Sequence, residues 1–203
     1  MSTTIDYYFA PQSPWTYLGH QRLRDIARRA GASIRVLPVD LGKIFPHSGG
    51  LPLAQRAPQR QAYRLVELKR FSDWLGLPLN LQPTFFPVPG DHAARLILAV
   101  DTRHGSDAAM QLSGAVLKAV WAEQRCINDA ATLAQLLVEC GLPDAALADA
   151  QGEAVQQRYE HATQQAFDAR VFGAPSYVIN GELFWGQDRL DFVERRLATR
   201  PRA

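Results

Sequence analysis

The sequence predicts an α/β fold in which a small sheet, assembled from two distant stretches of chain, is interrupted by a long helical block. Three observations carry that prediction. Runs rich in β-branched and aromatic residues occur only at 5–9, 33–39, 176–179 and 182–185. The stretch from about Leu53 to Arg170 has almost no β pattern and is rich in Ala, Leu, Gln, Glu and Arg. Between the first two strand-like runs, Trp15, Leu18, Leu23, Ile26 and Ala27 recur at helical spacing.

Taken in order, Ile5 to Phe9 suits a strand, and Ser13-Pro14 is a good N-cap followed by a good first helical residue. Gly31 closes that helix, and Ser33 to Val39 forms a second strand, completing a β-α-β unit with parallel strands. Helices are expected over 59–76, 92–104, 107–124, 130–140 and 151–170, punctuated by Gly-Leu-Pro at 76–78 and 141–143. These two tripeptides are helix stops followed by restarts, with no period that would make a solenoid. Asn180-Gly181 between the last two strand-like runs is a strong hairpin signal. In 188–198, Leu190, Phe192, Val193 and Leu197 mark the apolar side of a final helix. The order β-α-β, helical block, β-β-α is the connectivity of a thioredoxin-like fold with a large helical insertion, although a generic α/β assignment rests on the same runs. The expected division is a discontinuous sheet domain, 1–45 and 171–203, around an all-helical insertion, 46–170.

The composition narrows the function. Of 203 residues, 22 are basic and 20 acidic, a net charge of +2, so the field needed to hold a polyphosphate backbone is missing and no nucleic-acid partner is expected. No apolar run reaches the eighteen or so residues of a membrane span, and MSTTIDYYF lacks the basic and apolar parts of a leader. A cytoplasmic protein without a membrane partner is expected. Cys126 and Cys140 are too few and too far apart for a zinc cluster or a C-x-x-C pair, so no metal is expected.

Three junctions could carry chemistry. Ser13 at the start of the first helix would lie at the carboxyl edge of the sheet, where free N–H groups favour an anion; capping alone is the commoner role for such a serine. Pro175, opening a strand, is an edge device or a cis peptide, and the latter would leave the backbone of Ala174 available to an extended ligand. Asp188, in Trp185-Gly186-Gln187-Asp188-Arg189, is a cap or a partner for an ammonium group. Arg56, Arg60 and Arg64 fall at four-residue intervals and are read first as a solvated face, second as an attractor of anions. His47 and His92 are read first as solvated or capping residues, and Trp121 as packing.

Ser13 to Leu18, Asp40-Leu41-Gly42, Val171 to Pro175 and Asn180 to Leu190 together resemble the bacterial 2-hydroxychromene-2-carboxylate isomerases, relatives of the kappa-class glutathione transferases and of the DsbA-type oxidoreductases. The resemblance spans essentially the whole chain. It implies a DsbA/kappa-class glutathione transferase type of fold and a homodimer. Where redox relatives begin the first helix with Cys-x-x-Cys, this chain has Ser13-Pro14-Trp15-Thr16, so thiol–disulfide exchange is excluded at that position.

By the same resemblance the cofactor is glutathione. Ser13 is the catalytic residue, donating to its sulfur at the start of the helix that Pro14 and Trp15 continue. Ala174, before the cis Pro175, pairs with the cysteinyl part, and Trp185, Gly186, Gln187 and Asp188 hold the γ-glutamyl end. The implied reaction interconverts 2-hydroxychromene-2-carboxylate and trans-o-hydroxybenzylidenepyruvate, or a related aromatic-degradation intermediate, by addition of the thiolate, rotation and elimination. The partner is thus a small aromatic carboxylate substrate. On that side Lys43, Gly50, Tyr63 and Phe85 are the candidate contacts. Gly50 and Pro89 stand where relatives carry asparagine, and Lys43 is displaced by about two residues, so the substrate itself stays open. A kappa-like transferase or peroxidase, or a non-catalytic thioredoxin-fold peptide binder, are the alternatives.

Overall fold

The structure, a computed structural model, describes residues 3–199. A four-stranded sheet has the order β2-β1-β3-β4, where β1 is Thr4–Phe9, β2 Ser33–Pro38, β3 Ser176–Ile179 and β4 Glu182–Trp185. β1 and β2 are parallel, in register from Thr4↔Ser33 to Phe9↔Pro38. β3 runs antiparallel to β1 through Tyr8↔Ser176, and β4 antiparallel to β3 through Ser176↔Trp185. With the order β-α-β, a helical block, then β-β-α, this mixed sheet with a helical insertion has the thioredoxin-like connectivity the sequence predicts.

Local chemistry explains the boundaries. α1, Pro14–Ala30, is capped by Ser13 and ends at Gly31, whose φ of 61° lets its N–H reach the Ala27 and Arg28 carbonyls. The hairpin turn needs positive φ at both central residues, and Asn180 and Gly181 supply 52° and 81°. Three helices follow the expected spans closely: α3, Pro58–Leu75, α5, Ala130–Glu139, and α7, Glu153–Asp168. α4 runs Asp91–Trp121, and Gly105 (φ 81°, ψ 174°) takes the backbone out of helical geometry where the sequence suggests a break. α8 is Leu190–Ala198.

Two helices were not expected. α2, Leu41–Ser48, is capped by Asp40 and runs across residue 45; Pro46 within it hides the helical pattern. α6, Ala145–Asp149, is too short to show a period.

Side chains alternate across β1. Ile5, Tyr7 and Phe9 enter the larger core with α1, α4, α5 and α8, whereas Tyr8 enters a smaller one with Leu37, Val39, Ile44, Ala162 and Ala166. Within the larger core Tyr7 stacks on Phe9 and on Tyr177. His20 of α1 is buried there, with Nε2 2.8 Å from the Met110 carbonyl of α4 and Nδ1 3.2 Å from the Tyr7 hydroxyl. The carbonyl requires Nε2 to carry the hydrogen, so Tyr7 donates to Nδ1. Cys126 and Cys140 are free thiols. Among the described residues no helix is long and apolar enough to cross a membrane.

Candidate active site at the sheet edge

The register brings the three junctions to one edge. β1 and β2 both finish there, at Phe9 and Pro38, while β3 begins and β4 ends there, at Ser176 and Trp185. Carrying the Tyr8↔Ser176 register onward sets Pro175 opposite Phe9 and Ala174 opposite Ala10. Ser13 N–H donates to the Ala10 carbonyl at 3.0 Å, and Gly186 N–H to the Pro175 carbonyl at 2.9 Å. Ser13, Ala174-Pro175 and the 185–188 turn therefore share one end of the sheet, 161 positions or more apart in sequence between the first and the others.

Ser13 performs the capping role: its Oγ accepts from Thr16 N–H at 3.3 Å, and the residue is buried. That contact uses an oxygen lone pair only, and among the described residues nothing accepts the hydroxyl hydrogen. Thr16, at the second cysteine position of the redox motif, is wholly buried with its hydroxyl unpartnered. Pro14 is buried, and Trp15 packs edge-on against Phe71 of α3.

The Ala174-Pro175 bond is cis. Ala174 precedes the first registered pair, and neither its amide nor its carbonyl has a partner among the described residues. The next residues of the edge hold one another. A Cβ on Gly173 would fall 2.5 Å from Trp185 Nε1, so the indole lies directly on that glycine. Gly186 has φ 103°, and a Cβ there would meet Asp188 Oδ1 at 2.5 Å. Asp188 is 2.6 Å from Arg189 and partly exposed. Gln187 differs from its neighbours: it is buried, and Arg22 donates to both its carbonyl and its Oε1. Its side chain ties α1 to the turn before α8.

These features suit an extended thiol peptide. A hydroxyl with its hydrogen undonated, at a helix N-terminus, matches a thiolate; an unpaired amide and carbonyl at a sheet edge match a peptide backbone. Arg22 occupies the Oε1 of Gln187, whose Nε2 has no partner among the described residues.

The other candidates scatter. Lys43 is exposed in the first turn of α2, and Gly50 lies just after that helix against Phe45. Tyr63 is exposed beneath the Arg70 guanidinium, and Phe85 is exposed too. His47 is exposed, its Nδ1 3.0 Å from the Lys43 carbonyl, and His92 is exposed.

The arginine run is a correction. α3 begins at Pro58, so Arg56 precedes the helix, and its Nε donates to the Leu51 carbonyl. Arg64 is half-buried rather than solvated, with its guanidinium carbon 5.4 Å from the Phe86 ring and 5.7 Å from the Trp121 ring. Burial, and then the charge of Arg56, lower its pKa to about 10. Trp121, wholly buried, donates its indole N–H to the Gln12 carbonyl at 3.2 Å, one residue before Ser13. Sequence spacing could not reveal this cluster, because its members come from α3, the loop before α4 and the end of α4.

Comparisons with known proteins give the family and the fold. A family model described as a DSBA-like thioredoxin domain matches residues 4–198. The chain is 31% identical over 199 residues to a 2-hydroxychromene-2-carboxylate isomerase of Sphingobium xenophagum, covering 97% of this chain and 99% of that one. It is 29% identical to one of Pseudomonas putida, covering 94% and 92%. Among solved structures, a 2-hydroxychromene-2-carboxylate isomerase superposes with a TM-score of 0.81 at 26% identity, over 96% of this chain and 94% of that one. The cytosolic disulfide reductase DsbM of Pseudomonas aeruginosa, at 20% identity and a TM-score of 0.69 over 96% and 98%, shares the fold.

Proposed function

From a chain that belongs to the DSBA-like thioredoxin domain family, and within it to the 2-hydroxychromene-2-carboxylate isomerases, we propose a glutathione-dependent cis–trans isomerase. Its reaction interconverts 2-hydroxychromene-2-carboxylate and trans-o-hydroxybenzylidenepyruvate, or acts on a related intermediate of aromatic degradation. The observation that carries this reading is Ser13: a cap whose hydroxyl hydrogen is undonated, at the position where redox relatives need a cysteine.

Ser13 would donate that hydrogen to the cofactor's sulfur and, with the N-terminus of α1, favour the thiolate. The amide and carbonyl of Ala174 would pair with the cysteinyl residue, and Trp185, Gly186, Gln187 and Asp188 would hold the γ-glutamyl end. When bound, glutathione supplies a nucleophile that adds reversibly to the conjugated double bond and is released unchanged. Ser13 keeps its proton throughout and needs no base. Trp15 and Pro14 fix the helix start rather than touch the reacting atoms. The reading further implies a cytoplasmic homodimer.

Two measurements test it. Reduced glutathione should raise the thermal midpoint more than its S-methyl derivative does. Product analysis should then find the trans isomer with glutathione unchanged. A sulfur-containing product or oxidised glutathione would replace this reading with a kappa-like transferase or peroxidase. Absence of any stabilisation, with peptide binding indifferent to Ser13→Ala, would leave a strand-pairing binder.

A further inference from the structure

We propose that Arg64 receives the carboxylate of the substrate, as a guanidinium packed against Phe86 and Trp121 beside the Ser13 end of α1. The identity of the acid rests on the isomerase reading; the anion site itself rests on the packing of this chain.

Four observations support the assignment. First, Arg64 is half-buried yet has no acidic partner among the described residues, whereas Arg22, Arg35, Arg70, Arg125, Arg158 and Arg189 each have one. Second, its nitrogens make no hydrogen bond among the described residues, and none belongs to the fully buried unpartnered atoms, so they still reach solvent. A planar cation with its nitrogens free is the geometry that takes a carboxylate in two parallel hydrogen bonds. Third, the two rings at 5.4 and 5.7 Å, tilted 51° to one another, hold the guanidinium in place before any ligand arrives, which removes much of the entropy a mobile arginine would lose. Fourth, Trp121 joins this group to the reacting edge, because the same indole that carries Arg64 donates to the Gln12 carbonyl.

The neighbouring charge points the same way. Arg56 stands close enough to repel the Arg64 cation, and its contact with the Leu51 carbonyl neutralises none of its charge. Two like charges, neither paired with a carboxylate among the described residues, make an electropositive spot that a bound anion would relieve. Lys43 and Arg60, both exposed, have no comparable aromatic support. A half-buried unpaired cation opposes folding, so removing it should not weaken the fold.

The test uses 2-hydroxycinnamate, an aromatic acid without the reacting ketone, and its methyl ester, with binding measured by calorimetry on the wild-type chain, Arg64→Met and Arg64→Lys. The wild type should prefer the acid over the ester by about tenfold or more. Arg64→Met should lose that preference with a thermal midpoint no lower than wild type, and Arg64→Lys should restore part of it. In turnover, KM for the chromene acid should rise in Arg64→Met while kcat and glutathione affinity hold. Equal binding of acid and ester by the wild type, or undiminished acid binding by Arg64→Met, overturns the proposal. If the acid binds through Arg64 but no isomer forms, the isomerase reading fails and the anion site stands. If isomer forms and Arg64→Met leaves KM unchanged, the reverse holds. Should Arg64→Met fold poorly, the Arg64→Lys comparison decides, its folding checked by the glutathione-induced thermal shift.

Discussion

The sheet edge around Ser13 and the aromatic cluster around Arg64 adjoin one another and are built in opposite ways. At the sheet edge the useful groups belong mostly to the backbone: the α1 N-terminus, the unpaired Ala174 amide and carbonyl, and the 185–188 turn shaped by Gly173 and Gly186. In the cluster everything is side chain, with Arg64, Phe86 and Trp121 drawn from three segments. Backbone sites recognise what every peptide-like cofactor shares, and side-chain sites discriminate among substrates. A family that keeps one fold and varies its substrate should therefore vary the second region.

The largest effect expected concerns the join between α1, which Ser13 caps, and α4, which Trp121 ends, where His20 ties the two helices. Burial, the larger influence, holds this histidine down at about 4, below the 6.5 of an unfolded chain. As pH falls through 6.5 the unfolded chain takes up the proton while the folded form resists until about 4. Stability present above 6.5 is thus lost between those values, by on the order of 3 kcal/mol. Urea unfolding from pH 7.5 to 4.5 should show that slope in the wild type and a flatter one in His20→Gln; parallel slopes would remove His20 from the join.

Next in size is Ser13→Ala, expected to lower kcat by roughly thirtyfold, about 2 kcal/mol, through loss of one hydrogen bond to a charged sulfur. Glutathione affinity should change by less than about threefold, since backbone groups hold the rest of the tripeptide. Equal losses in kcat and affinity would break the division between the two regions. Gly186→Ala tests the same division from the other side, because it removes no side chain. Forcing a Cβ to φ 103°, and against Asp188, should cost about 1–2 kcal/mol in thermal unfolding and weaken glutathione more than the aromatic acid. The smallest effect belongs to Arg189→Ala. Its pair with Asp188 is partly exposed, so glutathione affinity should shift by less than about fivefold, measured by calorimetry.

The fold was legible because its signals are local. Ser13-Pro14, Gly31 and Asn180-Gly181 each force a backbone geometry within two or three residues, and the two strands after Pro175 fall at the expected positions. α2 was not legible, since Pro46 masks a helix that forms under the Asp40 cap. The sheet-edge residues follow from motifs that are contiguous in sequence. Gln187 shows the limit even there: its place in the motif gives no sign that Arg22, 165 positions away, engages its side chain. Arg64 shows the limit more strongly. Its four-residue spacing from Arg60 implies a solvated face, and only the packing of Trp121 and Phe86 beneath α3 turns it inward. Tyr63 and Phe85 are the sequence neighbours of Arg64 and Phe86 yet are exposed, a difference in direction that a motif does not carry.

The position of β1 in the sheet also fixes when this protein becomes active during its own synthesis. The β2 partner of β1 follows closely in the chain, but its β3 partner comes late, and the 167 positions from Phe9 to Ser176 take roughly 10 to 30 s to translate. During that interval a nascent chain presents Tyr7, Tyr8 and Phe9 on an open strand edge, the kind of surface that chaperones at the ribosome bind. Ser13 is present from the start, yet it has no partner edge for a ligand until the β3–β4 hairpin emerges. Activity should therefore appear all at once, late, with the arrival of that hairpin.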